Sequence, residues 1–315
     1  MVPIDSKIEL REFKPDYIGT FLLASFSVCF MILFAEYPSW GYSSAIIILI
    51  SVTPVLLIAF IFTQIKVRDP VFEFSLFKSK TFFLGSFMNF FSQASFVGFI
   101  YVTVLSGMSK FSHHNYNVFI IGVLLFPYLA SIIFVSPIVI YFMKKFNLKY
   151  MILVGNALTF SGLLVFMFIG YNASYSCTWW IFVMMGFGLG ISWVFLTPYA
   201  YSTVPKTMSG QGAGMFEILR FFGCAMGICI VESWFRGTFI SDLKFKLFEN
   251  GITNINVKQI LESHYNHGVD SGLSSKVMSL VNSSFINSYS NGVTVCMIFA
   301  AITVFLSLFM FIGKE

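Results

Sequence analysis

Three ionisable residues, Glu217, Arg220 and Glu232, stand inside one long apolar run of the sequence, Gln211 to Trp234. At about 100° per residue, Arg220 falls roughly 60° to one side of Glu217 and Glu232 roughly 60° to the other, so all three share about a third of a helix surface. Charge at membrane depth is costly and faces a protein interior or an aqueous cavity. Glu217 and Arg220, at i and i+3, are spaced to pair. Two roles fit them: a self-compensated structural ion pair, and a carboxylate that exchanges a proton beside its counter-charge. Glu232, near the far end of the run, is placed to reach interfacial water. Uncharged polar groups recur at Asn89, Ser92 and Gln93 in a second apolar run and at Asn156 in a third. Such groups either line cavities or link helices by hydrogen bonds.

Other chemistries lack their residues. The sequence has no GxxxxGK[ST] phosphate loop, no HExxH and no GxSxG elbow, so it offers no catalytic set. His113-His114 is an adjacent pair, whereas a metal site needs three or four converging ligands. No metal site or cofactor is expected. The five cysteines form no CxxC: Cys29, Cys224, Cys229 and Cys296 lie in apolar runs, and Cys177 stands outside them. Asn172-Ala-Ser174 and Asn282-Ser-Ser284 are formal sequons, meaningful only in a secretory pathway.

The elements that hold these residues follow from composition. Hydrophobic residues make up 57% of the 315, charged residues only 10%, and 41 are Phe. A soluble domain carries roughly 25% charged residues; such a surface fits lipid. Eight runs are long enough to span a bilayer: Tyr17 to Phe34, Ser44 to Thr63, Phe82 to Leu105, Val118 to Phe142, Met151 to Gly170, Trp179 to Tyr201, Gln211 to Trp234 and Ser288 to Ile312. They are too long and continuous for the strands of a barrel. The expected fold is therefore an all-α integral membrane protein with about eight transmembrane helices.

Lysines and arginines set the orientation. Lys7, Arg11, Lys14, Lys66, Arg68, Lys78, Lys80, Lys144, Lys145, Lys149, Lys206 and Lys314 fall on one side, against Lys110 alone in the short loops of the other. Both termini are expected in the cytoplasm of a cell whose inner membrane holds the chain, with the long segment 238–285 outside. The net charge of +5 comes mostly from these inner loops and does not point to nucleic acid. The long, mixed-charge flank before Tyr17 argues against a cleavable signal peptide. In the outer segment, Leu243, Phe245 and Leu247 alternate with Lys244 and Lys246, which predicts short amphipathic helices lying on the outer surface.

Small residues and prolines shape the helices. Gly186 and Gly190 share a face, as do Gly223 and Gly227, and each pair lets another helix approach closely. Pro127, Pro137 and Pro198 each remove a backbone donor within a helix.

In order along the chain, several motifs resemble the fourteen-helix drug:proton antiporters of the major facilitator superfamily, the EmrB/QacA type. Asp16-Tyr-Ile-Gly19 and Glu36-Tyr-Pro-Ser-Trp-Gly-Tyr-Ser43 are similar to that branch's extra helix pair. Asp69-Pro-Val-Phe-Glu-Phe-Ser-Leu-Phe-Lys-Ser-Lys-Thr-Phe82 resembles the entry to its C-terminal six helices. Gly122-Val-Leu-Leu-Phe-Pro127, Ser136-Pro137, Gly186-Phe-Gly-Leu-Gly190, Pro198, Val204-Pro205 and Gly210-Gln-Gly-Ala-Gly214 follow, and Leu219-Arg220-Phe-Phe-Gly223 with Ala225-Met-Gly227 resembles its penultimate helix.

The resemblance implies three parts: a cytoplasmic segment 1–16, an extra transmembrane pair with its loop over 17–80, and a C-terminal six-helix half over 81–315. It implies proton-coupled efflux of hydrophobic or cationic small molecules, with Glu217, Arg220, Asn89, Gln93 and Asn156 as transport-path candidates. The antiporter Gly-Pro motif and the Gly-x-x-x-Asp-Arg-x-Gly-Arg-Lys loop, carried by the family's first six helices, are not in this sequence. Where the second half echoes that loop, Ile140 replaces the glycine and Lys144 the acid. The family's substrate site lies between two six-helix bodies. The resemblance thus implies a partner, either an N-terminal half or another copy. The other expectation is a non-transporting remnant or membrane interaction protein that keeps the fold.

Overall fold

The computed structural model describes residues 16–67, 70–111, 118–142, 145–169, 175–252, 257, 260 and 275–312. The segment 1–15, His113-His114, Lys144 and the 172–174 sequon lie outside them. Eight α-helices follow in order: α1 Tyr17–Trp40, α2 Ser44–Lys66, α3 Lys80–Phe111, α4 Val118–Phe142, α5 Leu148–Ile169, α6 Tyr175–Tyr201, α7 Ser209–Glu249 and α8 Ser275–Leu308. Short 3-10 turns, Phe74–Lys78 and Lys206–Met208, precede α3 and α7. Seven of the helices are long and apolar enough by the described residues to cross a membrane, and α4 adds an apolar stretch over Leu125–Tyr141. The protein is a multi-pass, all-α membrane protein; among the described residues there is no strand.

Helix α3 is the hub, packed against α6, α7 and α8, while α5 bridges α6 and α8 and α4 leans on α6. One core gathers Phe99, Tyr128, Leu163, Met185 and Phe235 from five different helices. A second, at the other end of the bundle, centres on Met88, Val135, Ile152, Phe195 and Phe216. The α1–α2 hairpin stands apart. It touches this body mainly through α1 against α7, where Phe26 and Phe30 meet the Phe222 ring at 5.9 and 5.8 Å. Most other large side chains of α1 and α2, such as Phe21, Ile48 and Phe62, are exposed, as lipid-facing helices require.

Two helices run much further than the hydropathy pattern predicts. Helix α7 continues through 41 residues and α8 begins at Ser275, so both ends of the expected outer segment 238–285, residues 238–249 and 275–285, are regular helix. Helix α7 is about 60 Å long at 1.5 Å per residue, roughly twice the hydrocarbon thickness. The alternation of Leu243, Phe245 and Leu247 with lysines misleads. The operative period is four, since Phe235, Phe239, Leu243 and Leu247 form one buried stripe. That stripe packs in one core with Val277, Val281 and Phe285 of α8, and Val257 and Ile260 join it. Phe235 and Phe285 meet edge-on at 5.2 Å. Lys246 fastens the end, bonding Asp242 at 2.7 Å and the Ser283 hydroxyl at 3.0 Å. Residues 240–248 are therefore the end of α7, not a separate surface helix. Cys177, expected between helices, lies in the first turn of α6.

Candidate functional site

Glycines decide where polar groups can meet. A Cβ added at Gly223 would overlap the Phe90 carbonyl oxygen, and one at Gly227 that of Ala94, so α7 lies directly on the α3 backbone. This close approach draws the polar face of α3 into the interface. The Asn89 amide donates to the Phe216 carbonyl at 3.5 Å, and the Cys224 thiol to Gln93 Oε1 at 3.5 Å. From α6, Trp193 Nε1 donates to Ser92 Oγ at 3.4 Å. Asn89 is 3% exposed and Gln93 4%. Left uncovered, these two would face lipid at a cost when no partner is present. Instead, the chain's own helices bury them, because α3 sits at the centre of the bundle.

Asn156 is not part of this seam. It joins α5 to α6, accepting the Ser192 hydroxyl hydrogen at 2.7 Å on Oδ1. Here too small residues set the spacing: a Cβ at Gly155 or Gly188 would press on the facing backbone at 2.7 Å. Gly186 and Gly190 turn to α4, where side chains there would overlap Ser131 and Val135. The one run Gly186-Phe-Gly-Leu-Gly190 thus serves two neighbours, α4 from its outer glycines and α5 from Gly188.

Glu217 and Arg220 behave differently. Their side chains pair at 2.6 Å, as the i, i+3 spacing predicts. The pair is not sealed in the bundle, because 44% of the Glu217 and 36% of the Arg220 side-chain surface is exposed. The Arg220 guanidinium also lies 4.9 Å from the Phe221 ring centre, a cation–π contact. Glu217 lies about 12 Å and Arg220 about 17 Å along α7 from Ser209. The expectation that depth buries this pair is corrected: each side chain keeps more than a third of its surface exposed.

Two other polar contacts escape the sequence reading. Glu232 does not end in interfacial water alone; it pairs with Arg236 at 2.6 Å, and Arg236 Nη1 donates to Ser39 Oγ of α1 at 3.1 Å. The i, i+4 acid–base spacing is its signal. Asp16 and Gln64, both buried, join the ends of α1 and α2. An Asp just before an apolar run is the N-cap signal that marks Asp16. Among the described residues no group of three His, Cys, Asp or Glu could hold a metal ion.

A long-helix membrane bundle with glycine-tight seams, and a charge pair on one open helix face, has the form of a transporter body. The Major Facilitator Superfamily pattern matches residues 17–228, and the chain belongs to that superfamily, a family of membrane transporters and not of enzymes. It is 22% identical over 265 residues to colistin resistance protein EmrB of Acinetobacter baumannii, covering 81% of this chain and 50% of that protein. It is 23% identical over 327 residues to multidrug resistance protein 3 of Bacillus subtilis, covering 98% and 60%. It is 23% identical over 206 residues to multidrug resistance protein Stp of Mycobacterium tuberculosis, covering 63% and 36%. The chain spans about half the length of the curated relatives it matches.

Proposed function

We propose that this chain forms one helical body of a proton-coupled multidrug efflux antiporter, working against a second six-helix body. The second body is supplied by further sequence, a separate chain or another copy. The observation that carries the reading is the Glu217–Arg220 pair, which is part-exposed on α7 well inside a membrane-spanning length. A charge pair facing hydrocarbon is costly. The same pair facing a cavity between two bodies is solvated and available for work.

In this reading Glu217 takes up a proton from one side of the membrane and releases it to the other. Arg220 is its counter-charge, so protonation frees the guanidinium and changes the charge of the cavity wall. A hydrophobic cation competes with that proton for the carboxylate. Phe221, exposed beside the pair, supplies aromatic surface there. The buried Asn89, Gln93 and Asn156 hold the wall's helices together, and the glycine seam of Gly223 and Gly227 gives α7 a smooth surface to move on. The lysine bias of the loops supports placement in the inner, or plasma, membrane with both termini cytoplasmic.

Proton-driven efflux of a fluorescent lipophilic cation from vesicles tests this. The full chain is co-expressed with the six-helix N-terminal half of a related antiporter. Efflux that needs both parts and is lost in Glu217→Gln is the expected result. Absence of efflux from a well-folded, co-purifying pair would overturn the proposal in favour of a non-transporting membrane protein that keeps the fold.

A further inference from the structure

Away from the Glu217 face, a groove of about 500 Å³ runs between the end of α1 and the second half of α7. Phe34, Tyr37 and Pro38 form one wall, and Trp234, Gly237 and Thr238 the other. Its origin is local. Gly237 supplies no side chain and has open space where a Cβ would stand. Pro38 has no N–H, so the Phe34 carbonyl loses its helical donor and α1 is weakened there.

The groove also has a position in the membrane. Helix α1 ends at Trp40, and Tyr37, Trp40, Tyr42 and Trp234 are all exposed. Aromatic residues of this kind gather at the membrane–water interface. The groove therefore opens at that interface, with its apolar part directed into the hydrocarbon.

Charge marks its upper end. Ser241 lines the groove, and Lys244 follows one turn later on the same face, about 10 Å along the axis from Gly237. Lys244 is exposed and belongs to none of the ion pairs among the described residues. The neighbouring cations are engaged, Arg236 by Glu232 and Ser39, and Lys246 by Asp242 and Ser283. An apolar slot at the interface, with hydroxyls and then one available ammonium above it, is complementary to an amphiphile with an anionic head.

We propose that the α1–α7 groove is a binding site for an anionic phospholipid. One acyl chain lies against Phe34, Trp234 and Gly237, and the phosphate sits near Ser241 and Lys244. The lipid would fill the gap between the peripheral α1–α2 hairpin and the bundle. This site does not depend on the transport reading.

The test uses the purified full chain in nanodiscs carrying a trace of phosphatidylglycerol or phosphatidylcholine with a photoreactive acyl chain, with labelled peptides mapped by mass spectrometry. Labelling should concentrate in 34–38 and 230–241, and phosphatidylglycerol should label more strongly. Lys244→Ala should remove that preference, a change of about fivefold for one lysine near an anionic head group. Gly237→Leu, which has room for its side chain, should block labelling by both lipids while the helix content stays unchanged. Excess inorganic phosphate should change nothing. Equal labelling by the two lipids, labelling elsewhere only, or displacement by phosphate or by a lipophilic cation would each overturn the proposal.

Discussion

Asp16 and Gln64 clasp the hairpin shut, the Gln64 amide donating to the Asp16 carboxylate at 2.6 Å. The other Asp16 oxygen caps α1 by accepting from the Gly19 N–H at 2.8 Å. The Gln64 carbonyl accepts from the Phe72 N–H at 2.8 Å, so the beginning of α1, the end of α2 and the strap leading to α3 meet at one point. Gly19 lies directly beneath, where a Cβ would overlap both Asp16 and Gln64.

Asp16→Ala removes an N-cap and leaves the buried Gln64 amide without its acceptor. A cap is worth about 0.5–2 kcal/mol and an unsatisfied buried donor about 1–3 kcal/mol. Thermal unfolding of the detergent-solubilised chain should show a clear drop. Gln64→Leu should lower it too, and the double variant should cost less than the two single changes added. Full additivity would mean the clasp does not act as a unit.

The seam between α3 and α7 tolerates no side chain at Gly223 or Gly227. Gly223→Ala should destabilise by about 1–3 kcal/mol, as overpacking does. Gly214→Ala, on the same helix with open space at its Cβ, should be neutral or stabilise by up to about 1 kcal/mol. Comparable unfolding temperatures for the two variants would contradict the close approach.

The extension of α7 gives a third contrast. Leu243→Ala opens a cavity in the stripe against α8 and should cost about 2–5 kcal/mol. Phe245→Ala, two residues on and exposed, should fall within about 0.5 kcal/mol of the parent. Hydrogen exchange should find the amides of 240–249 slow; fast exchange across that stretch would dissolve the extended helix.

For Glu217 and Arg220 the exposure decides the expected result. In the water-filled cavity of the proposed assembly, pairs this open contribute little, about 0–1 kcal/mol. Glu217→Gln and Arg220→Gln should both keep the yield and unfolding temperature of the co-expressed transporter, which should still lose efflux in Glu217→Gln. A large loss of folded yield in either single variant, restored in the double, would assign the pair to structure.

Orientation is open to a direct measurement. In a background free of native cysteines, Ser75→Cys and Phe248→Cys place thiols on exposed positions at opposite ends of the bundle. An impermeant thiol reagent applied to whole cells should label position 248 and spare position 75. The reverse pattern would invert the topology.

Much of this fold is legible in the sequence because hydropathy acts locally. A run of apolar residues long enough to span a bilayer becomes a helix wherever it lies, since its backbone groups have no water to bond. Val118 to Phe142 is a helix at those bounds, and Ser44 opens α2 as the sequence predicts. Pairings within one helix are equally local, which is why the spacing of Glu217 and Arg220 foretells their ion pair. The glycines announce close approach, but not to which neighbour.

Tertiary structure decides whatever depends on the neighbour. Asn89 and Gln93 are sealed by α7, and Asn156 is held by Ser192, because α3 is central and α5 lies on α6. No pattern along the chain carries that arrangement. Helix α7 runs on to Glu249 because α8 offers its stripe a matching one, and polar residues on the other faces hide this from a hydropathy scan. The open aspect of Glu217 follows from which faces of α7 the bundle covers, a property of the packed helices and not of the residue.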